Sequence, residues 1–264
     1  YSRSIRRRMV SMRSLVLVIT YLVLNVIQSS RGKDQRITLK QIQTENGQKN
    51  RYHSGYFKLE RSYDAHMFFF LFESRKQTEE KPPLVLWMTG GPGCSSEMAV
   101  FYENGPWNLK RGKDGNIRLE EKEYGWDNVA DMIFVDQPIN TGFSYSDDPD
   151  DRCYDEECVS KDMVDFMVAL LDARPELRGR DFYVTGESYA GHYVPAVAFQ
   201  VFLASQGKGQ ERLLDISLKG MAIGNGLTNP AIQYGAYPEF AYQHGLISEL
   251  SKNEMMSVYP ACKY

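Results

Sequence analysis

The sequence is poor in the residues that hold metals and disulfide scaffolds, with four cysteines and four histidines among 264 residues. Cys153 and Cys158 form a C-x-x-x-x-C pair with no histidine or second close cysteine pair beside them. A zinc site is therefore not expected, and a local loop bridge is compatible with the spacing. With Cys94 and Cys262 there are three possible pairings, among which sequence does not choose. No N-x-[ST] acceptor, internal repeat or low-complexity tract occurs, so repeat architectures are excluded. A basic face is lacking too. The 31 Lys and Arg residues are outweighed by 34 Asp and Glu, and Arg3, Arg6, Arg7, Arg8 and Arg13 all precede the first acid. Without those five the formal net charge moves from −3 to −8. Such a chain has no electrostatic footprint for nucleic acid or for an anionic membrane. No cofactor and no metal is expected.

Long hydrophobic runs are also few. Leu15 to Ile27 (LVLVITYLVLNVI) falls short of the roughly 20 apolar residues of a membrane span. Placed behind arginines and ahead of Ser29 and Ser30, it has the layout of a secretory signal peptide. Residues 1–30 are thus expected to be a signal peptide, with no stable membrane partner after cleavage; an uncleaved signal anchor is the alternative. This route leads to the secretory pathway and ends outside the cell or in a vacuole. Residues 31–52 are polar and aperiodic and read as a leader or pro-segment, with order expected from His53.

What is present is an ordinary globular composition, 42% hydrophobic and 25% charged. Ser54 to Leu59 and His66 to Glu73 read as a hairpin. Leu84 to Met88, Met132 to Asp136, Phe182 to Thr185 and Ile216 to Ile223 are short continuous apolar runs, which suit strands buried on both faces of a largely parallel sheet. Cys158 to Arg174 places Met163, Phe166, Met167, Leu170 and Leu171 at helical spacing and stops before Pro175, the pattern of a crossover helix. Strand and helix alternate, which predicts an α/β fold with a doubly wound, mostly parallel sheet. After Asn225 the chain turns aromatic and irregular, then helical from Ser248, as the start of a cap insertion would be.

Chemistry concentrates in DFYVTGESYAGHYVP, Asp181 to Pro195, where a strand runs into Gly186-Glu187-Ser188-Tyr189-Ala190-Gly191 and then a helix. This is the layout of a nucleophile elbow: small residues two positions either side of the serine let the backbones pass, and the helix N-terminus offers amides to an oxyanion. A second glycine loop, Thr89-Gly90-Gly91-Pro92-Gly93, follows the strand Leu84 to Met88, where an α/β-hydrolase draws its other oxyanion-hole amide.

GGPGCSS, FYENGP (Phe101 to Pro106), GWDNVADMIFVDQP (Gly125 to Pro138), TGFSYS (Thr141 to Ser146), GESYAGHYVP and KGMAIGNGLTNP (Lys219 to Pro230) together resemble the serine carboxypeptidase family, over nearly all of residues 54 to 245. Thr89 before the glycine pair and the run FYENGP resemble its plant class III members. The resemblance implies an α/β-hydrolase domain over residues 53–264, C-terminally incomplete, with Ser188 as nucleophile and the amides of Gly91 and Tyr189 as oxyanion hole. It implies that Thr89, Gly90, Glu187 and Glu103 take the free carboxylate of a peptide or protein C-terminus. Glu103 and Glu187 would share a proton, because a close carboxyl pair does not ionise twice cheaply, and binding would then favour acidic pH. Asn140 stands where the family usually has glycine, and Asn tolerates a left-handed backbone.

The triad order in this fold is nucleophile, acid, base. After Ser188 only His192 and His244 remain, and Asp215 with His244 has the right order. Asp215, however, precedes its strand, at the wrong end of the sheet for a catalytic acid. The resemblance places the family's Asp and His beyond Tyr264. The expected activity is release of C-terminal amino acids through an acyl-enzyme; a related acyltransferase or a non-catalytic secreted fragment are the alternatives.

Overall fold

The four apolar runs form the parallel part of one sheet. The last, expected to be buried on both faces, instead lies at the end of the sheet among the described residues, and its strand, Ser217–Gly224, has no buried residue because no second neighbour covers it there. The computed structural model describes residues 38–43, 49–76, 81–208 and 213–262. Its strands are β1 (Thr38–Gln43), β2 (Lys49–Lys58), β3 (His66–Phe72), β4 (Leu84–Met88), β5 (Trp107–Arg111), β6 (Ile117–Glu121), β7 (Asp131–Val135), β8 (Asp181–Glu187) and β9 (Ser217–Gly224). Seven of them form a sheet in the order β1-β2-β3-β7-β4-β8-β9. β7, β4, β8 and β9 run parallel, while β1, β2 and β3 add an antiparallel margin.

Side-chain alternation sends β4 into two cores at once. Leu84, Leu86 and Met88 join the larger apolar cluster, whereas Val85 and Trp87 join the second, on the other face. Helices α2 (Glu156–Ala173) and α3 (Ala190–Ser205) cover the first face with Met163, Phe166, Leu170, Val194, Val197 and Val201. The short α1 (Glu97–Tyr102) and the β5–β6 hairpin cover part of the second through Val100, Phe101 and Trp107. Asp155 caps α2 by accepting from the Cys158 amide at 2.8 Å, with Glu156 and Glu157 in the first turn facing the positive end of the helix dipole. Cys153 and Cys158 are joined by a disulfide at that same helix start. The chain then forms α4 (Pro230–Gln233), α5 (Tyr237–Gln243) and α6 (Glu249–Cys262).

Order begins earlier than expected. β1 and the first residues of β2 lie within the segment read as a polar leader. A strand at a sheet margin needs backbone partners rather than apolar side chains, so hydropathy does not announce it. The β5–β6 hairpin is a second addition, although Asp114-Gly115 at its turn is a hairpin signal. The expected signal peptide lies outside the described residues, and no described helix is long and apolar enough to cross a membrane.

Candidate active site

The parallel strands β4, β7, β8 and β9 all end on one side, and the residues singled out by sequence gather at those ends. β8 passes directly into Ser188, whose φ of 60° lies in the left-handed region. A non-glycine residue held there costs of order 1–3 kcal/mol and persists only when its surroundings enforce it. Here the enforcement is hydrogen bonding: the Ser188 amide donates to the Gly224 carbonyl at 3.0 Å, and the Ser188 carbonyl accepts from Leu227 at 2.8 Å and Gly191 at 3.0 Å. The side chain is left exposed to solvent. A Cβ added at Gly186 would stand 2.3 Å from the Met88 carbonyl oxygen, so β8 passes β4 only as glycine.

The glycine loop after β4 meets this elbow main chain to main chain. A Cβ at Gly90 would lie 2.4 Å from the Tyr189 nitrogen. Gly91 follows with φ of 113°, and neither the Gly91 nor the Tyr189 amide donates to another described residue. Both amides are therefore unpaired among the described residues, on the loop and the turn that meet through Gly90 and Tyr189. Thr89 is buried; its amide donates to Ser96 Oγ at 3.2 Å, and its hydroxyl accepts from the Trp87 indole at 3.1 Å, leaving its own proton to donate.

Glu103, just after α1, reaches Glu187 at the end of β8 and hydrogen-bonds to it. Burial, then the charge of Glu187 and the hydrogen bond to it, push Glu103 up to about 7, with Lys122 pulling the other way. Lys122 is itself buried and donates from Nζ to the Glu103 carbonyl at 2.7 Å, and burial lowers its own pKa. All seven sequence-predicted site residues thus lie at this end of the sheet, Glu187 as the last residue of β8 and the other six on the segments that follow β4, α1 and β8. Asn140 has φ of 72° and accepts from the Ser146 amide through Oδ1, the left-handed backbone expected for it.

Other residues at this site were not singled out by sequence. Asp136, at the end of β7, is buried and accepts from Ser95, Ser96 and Phe143. Glu97, in the first turn of α1, lies beside it. Asn104 is buried with both side-chain amide atoms unpaired. Asn104 and Asp136 lie within motifs of the family resemblance but were given no role, Lys122 carries no motif, and Glu97 reads as an ordinary first-turn acid, so only tertiary contact reveals their part here.

The residues weighed as an internal triad stay apart. Asp215 sits before β9, whose eight residues put roughly 25 Å between it and the site end. His244 Nδ1 pairs with the Phe240 carbonyl at 2.8 Å on an exposed surface. His192 stacks on Tyr189 with ring centroids 4.7 Å apart, and its Nδ1 is buried without a partner. Elsewhere, Cys153, Cys158 and Asp162 bring ligand atoms within 4.8 Å of one another, but both sulfurs are consumed by the disulfide.

Comparison with known proteins agrees with this geometry. The profile described as serine carboxypeptidase matches residues 42–263. The chain is 49% identical over 212 residues to "Serine carboxypeptidase-like 49" of Arabidopsis thaliana, covering 80% of this chain and 39% of that protein. It is 48% identical over 213 residues to "Serine carboxypeptidase 3" of Hordeum vulgare, covering 81% and 40%. Among solved structures, a prohormone-processing carboxypeptidase from Saccharomyces cerevisiae superposes with a TM-score of 0.69 at 29% identity, covering 81% of this chain and 48% of that one. The chain spans about two-fifths to half the length of the curated relatives it matches. With an α/β-hydrolase sheet, a strained serine elbow and these relatives, the chain belongs to the serine carboxypeptidase family.

Proposed function

We propose that the protein is a serine carboxypeptidase of the secretory pathway, acting on free peptide or protein C-termini outside the cell or in a vacuole. The observation that carries this reading is the juxtaposition, at one end of the sheet, of an exposed left-handed Ser188 with the Glu103–Glu187 pair. Ser188 Oγ would attack the carbonyl of the last peptide bond, with the Gly91 and Tyr189 amides receiving the oxyanion. The C–N bond breaks, the terminal amino acid leaves with a proton, and water then releases the acyl group from Ser188. The reading assigns the proton transfers to an Asp and a His; no hydrogen bond joins a described histidine to Ser188.

Glu103 supplies the specificity for a free carboxylate. Because its folded value is near 7, it holds a proton in acid and can donate to the substrate, with Thr89 and the Gly90 main chain completing the clamp. Above about pH 7 that donor is lost and two carboxylates face a third, so KM rises with pH. Neutral ester substrates escape the effect.

The test is a fluorophosphonate probe on the protein as isolated from its source, with mass spectrometry of the labelled peptide and assay of amino-acid release from peptides. Labelling at Ser188 and release that Ser188→Ala abolishes are the expected results. Acyl transfer from glucose esters without peptide hydrolysis would replace the reading with an acyltransferase, and unlabelled Ser188 would overturn the enzymatic reading.

A further inference from the structure

Beneath the glycine loop lies a second pair of acids. Asp136 Oδ1 accepts from the Ser96 amide at 2.9 Å and from Ser95 Oγ at 2.8 Å, and Oδ2 accepts from the Phe143 amide at 2.8 Å. Glu97 shares the Ser95 hydroxyl, which lies 3.0 Å from its Oε2, and its carboxyl is within hydrogen-bond reach of Asp136. Glu97 Oε1 is buried and meets no donor.

Two carboxylates only accept, so this contact is repulsive unless one of them holds a proton. The donors decide which. Two main-chain amides point at Asp136 and require its lone pairs, whereas Glu97 Oε1 faces none, so the proton belongs on Glu97, whose carboxyl then becomes a donor toward Asp136. Tyr56 of β2 faces both acids, and Tyr145 packs on Tyr56 with ring centroids 5.6 Å apart. Among the described residues, neither acid forms an ion pair with a lysine, arginine or histidine. Burial, reinforced by the Asp136 charge, raises Glu97 to about 9, in agreement with this placement.

The pair sits where it can set the loop. Ser96, fixed by Asp136 through its amide, accepts the Thr89 amide through its hydroxyl and so closes the glycine loop at its base. Phe143 ties the TGFSYS loop to the other oxygen of Asp136. We propose that Glu97 and Asp136 form a second proton-sharing carboxyl pair, positioning residues that clamp the Thr89–Ser96 loop to the loop after β7 and thereby hold the Gly91 amide in register with Ser188. Its geometry stands by itself; its consequence for catalysis rests on the carboxypeptidase reading. Ionisation of both acids would place two buried charges on one serine hydroxyl and release the loop.

The sign follows from linkage. Glu97 binds its proton more tightly folded than unfolded, so the stability it contributes is complete below the ordinary glutamate range and drains as pH rises toward 9. In the protein this should appear as a fall in Tm of roughly 5 °C between pH 7 and 9. Amide exchange at Ser96 and Phe143 should accelerate tenfold or more beyond its intrinsic pH dependence over that range. Glu97→Gln keeps a donor and cannot ionise, so it should flatten both responses, whereas Glu97→Ala should lose amide protection at every pH. On an ester lacking a free carboxylate, which bypasses Glu103, the alkaline limb of kcat should move upward in Glu97→Gln. The same Tm and exchange profiles in Glu97→Gln as in the parent would overturn the proposal. Should that variant fail to fold, isotope-edited infrared spectroscopy of the parent decides: a protonated carboxyl band persisting at pH 8 is expected, and its absence refutes the pair. Exchange, Tm and infrared need no catalysis, so unlabelled Ser188 alongside the expected profiles would refute the peptidase reading alone.

Discussion

β4 and β9 are both apolar runs in one parallel sheet, yet they live in different surroundings. Every residue of β4 is buried, between α2 and α3 on one face and α1 with the β5–β6 hairpin on the other. No residue of β9 is buried, and Met221 is 54% exposed. The same divide runs through α3, whose Val194, Val197 and Val201 are buried while Phe199 and Phe202 face out. Beyond β9, Pro238 is the one buried residue among the described residues of α4 and α5. Apolarity in sequence therefore marks a capacity for burial, and the neighbouring layers decide whether it is used. Stabilising burial is concentrated from β2 to β8, and the serine elbow lies on the border, pinned to the exposed side through Gly224 and Leu227.

The sharpest test of this contrast is in the centre. Phe166 of α2 is fully buried, with ring centroids 5.7 Å from Phe57 and 5.5 Å from Phe69. Phe166→Ala should cost roughly 3–5 kcal/mol in denaturant unfolding; a loss below about 1 kcal/mol would show that the centre does not carry the stability. At the border, a Cβ at Gly191 would stand 2.6 Å from the Leu227 carbonyl oxygen. Gly191→Ala should cost roughly 1–3 kcal/mol and accelerate exchange of the Leu227 amide, because the loop must move off the elbow. Unchanged exchange at Leu227 would mean that the border is looser than its hydrogen bonds imply. On the exposed side, Met221→Ser should change stability by no more than about 0.5 kcal/mol. A clearly larger loss would show that the outer face of β9 is covered in the working protein and would dissolve the comparison.

Much of this was readable in the sequence because the relevant physics is local. Continuous apolar runs located β4, β7, β8 and β9 within a residue or two; for β4 and β7 the reason is burial on both faces, which needs no polar alternation, whereas β9 has the same apolar run without the burial. Helical spacing located α2, and glycine spacing located the elbow, because a strained turn can be built from few residue types. Thr89, Gly90, Gly91, Glu103, Glu187, Ser188 and Tyr189 came from motifs and family resemblance, and the fold brings them to one end of the sheet. What escaped was long-range. Glu97 and Asp136 lie far apart in sequence and become a pair only when α1 packs beside β7, while Lys122 meets Glu103 only because the β5–β6 hairpin folds back. β1 escaped because its role is backbone pairing, which leaves no mark on composition.

The contact between Gly90 and the Tyr189 nitrogen has a consequence for how such a site can diversify. The span between the two free amides is set by main chains touching directly, with no side chain interposed. Substitutions that retune the surrounding chemistry, at Thr89 or Glu103 for instance, leave that span untouched, whereas a methyl group at position 90 would force it open. Selectivity and the gauge of the anion cradle are thus inherited separately, one freely revisable and the other all but frozen.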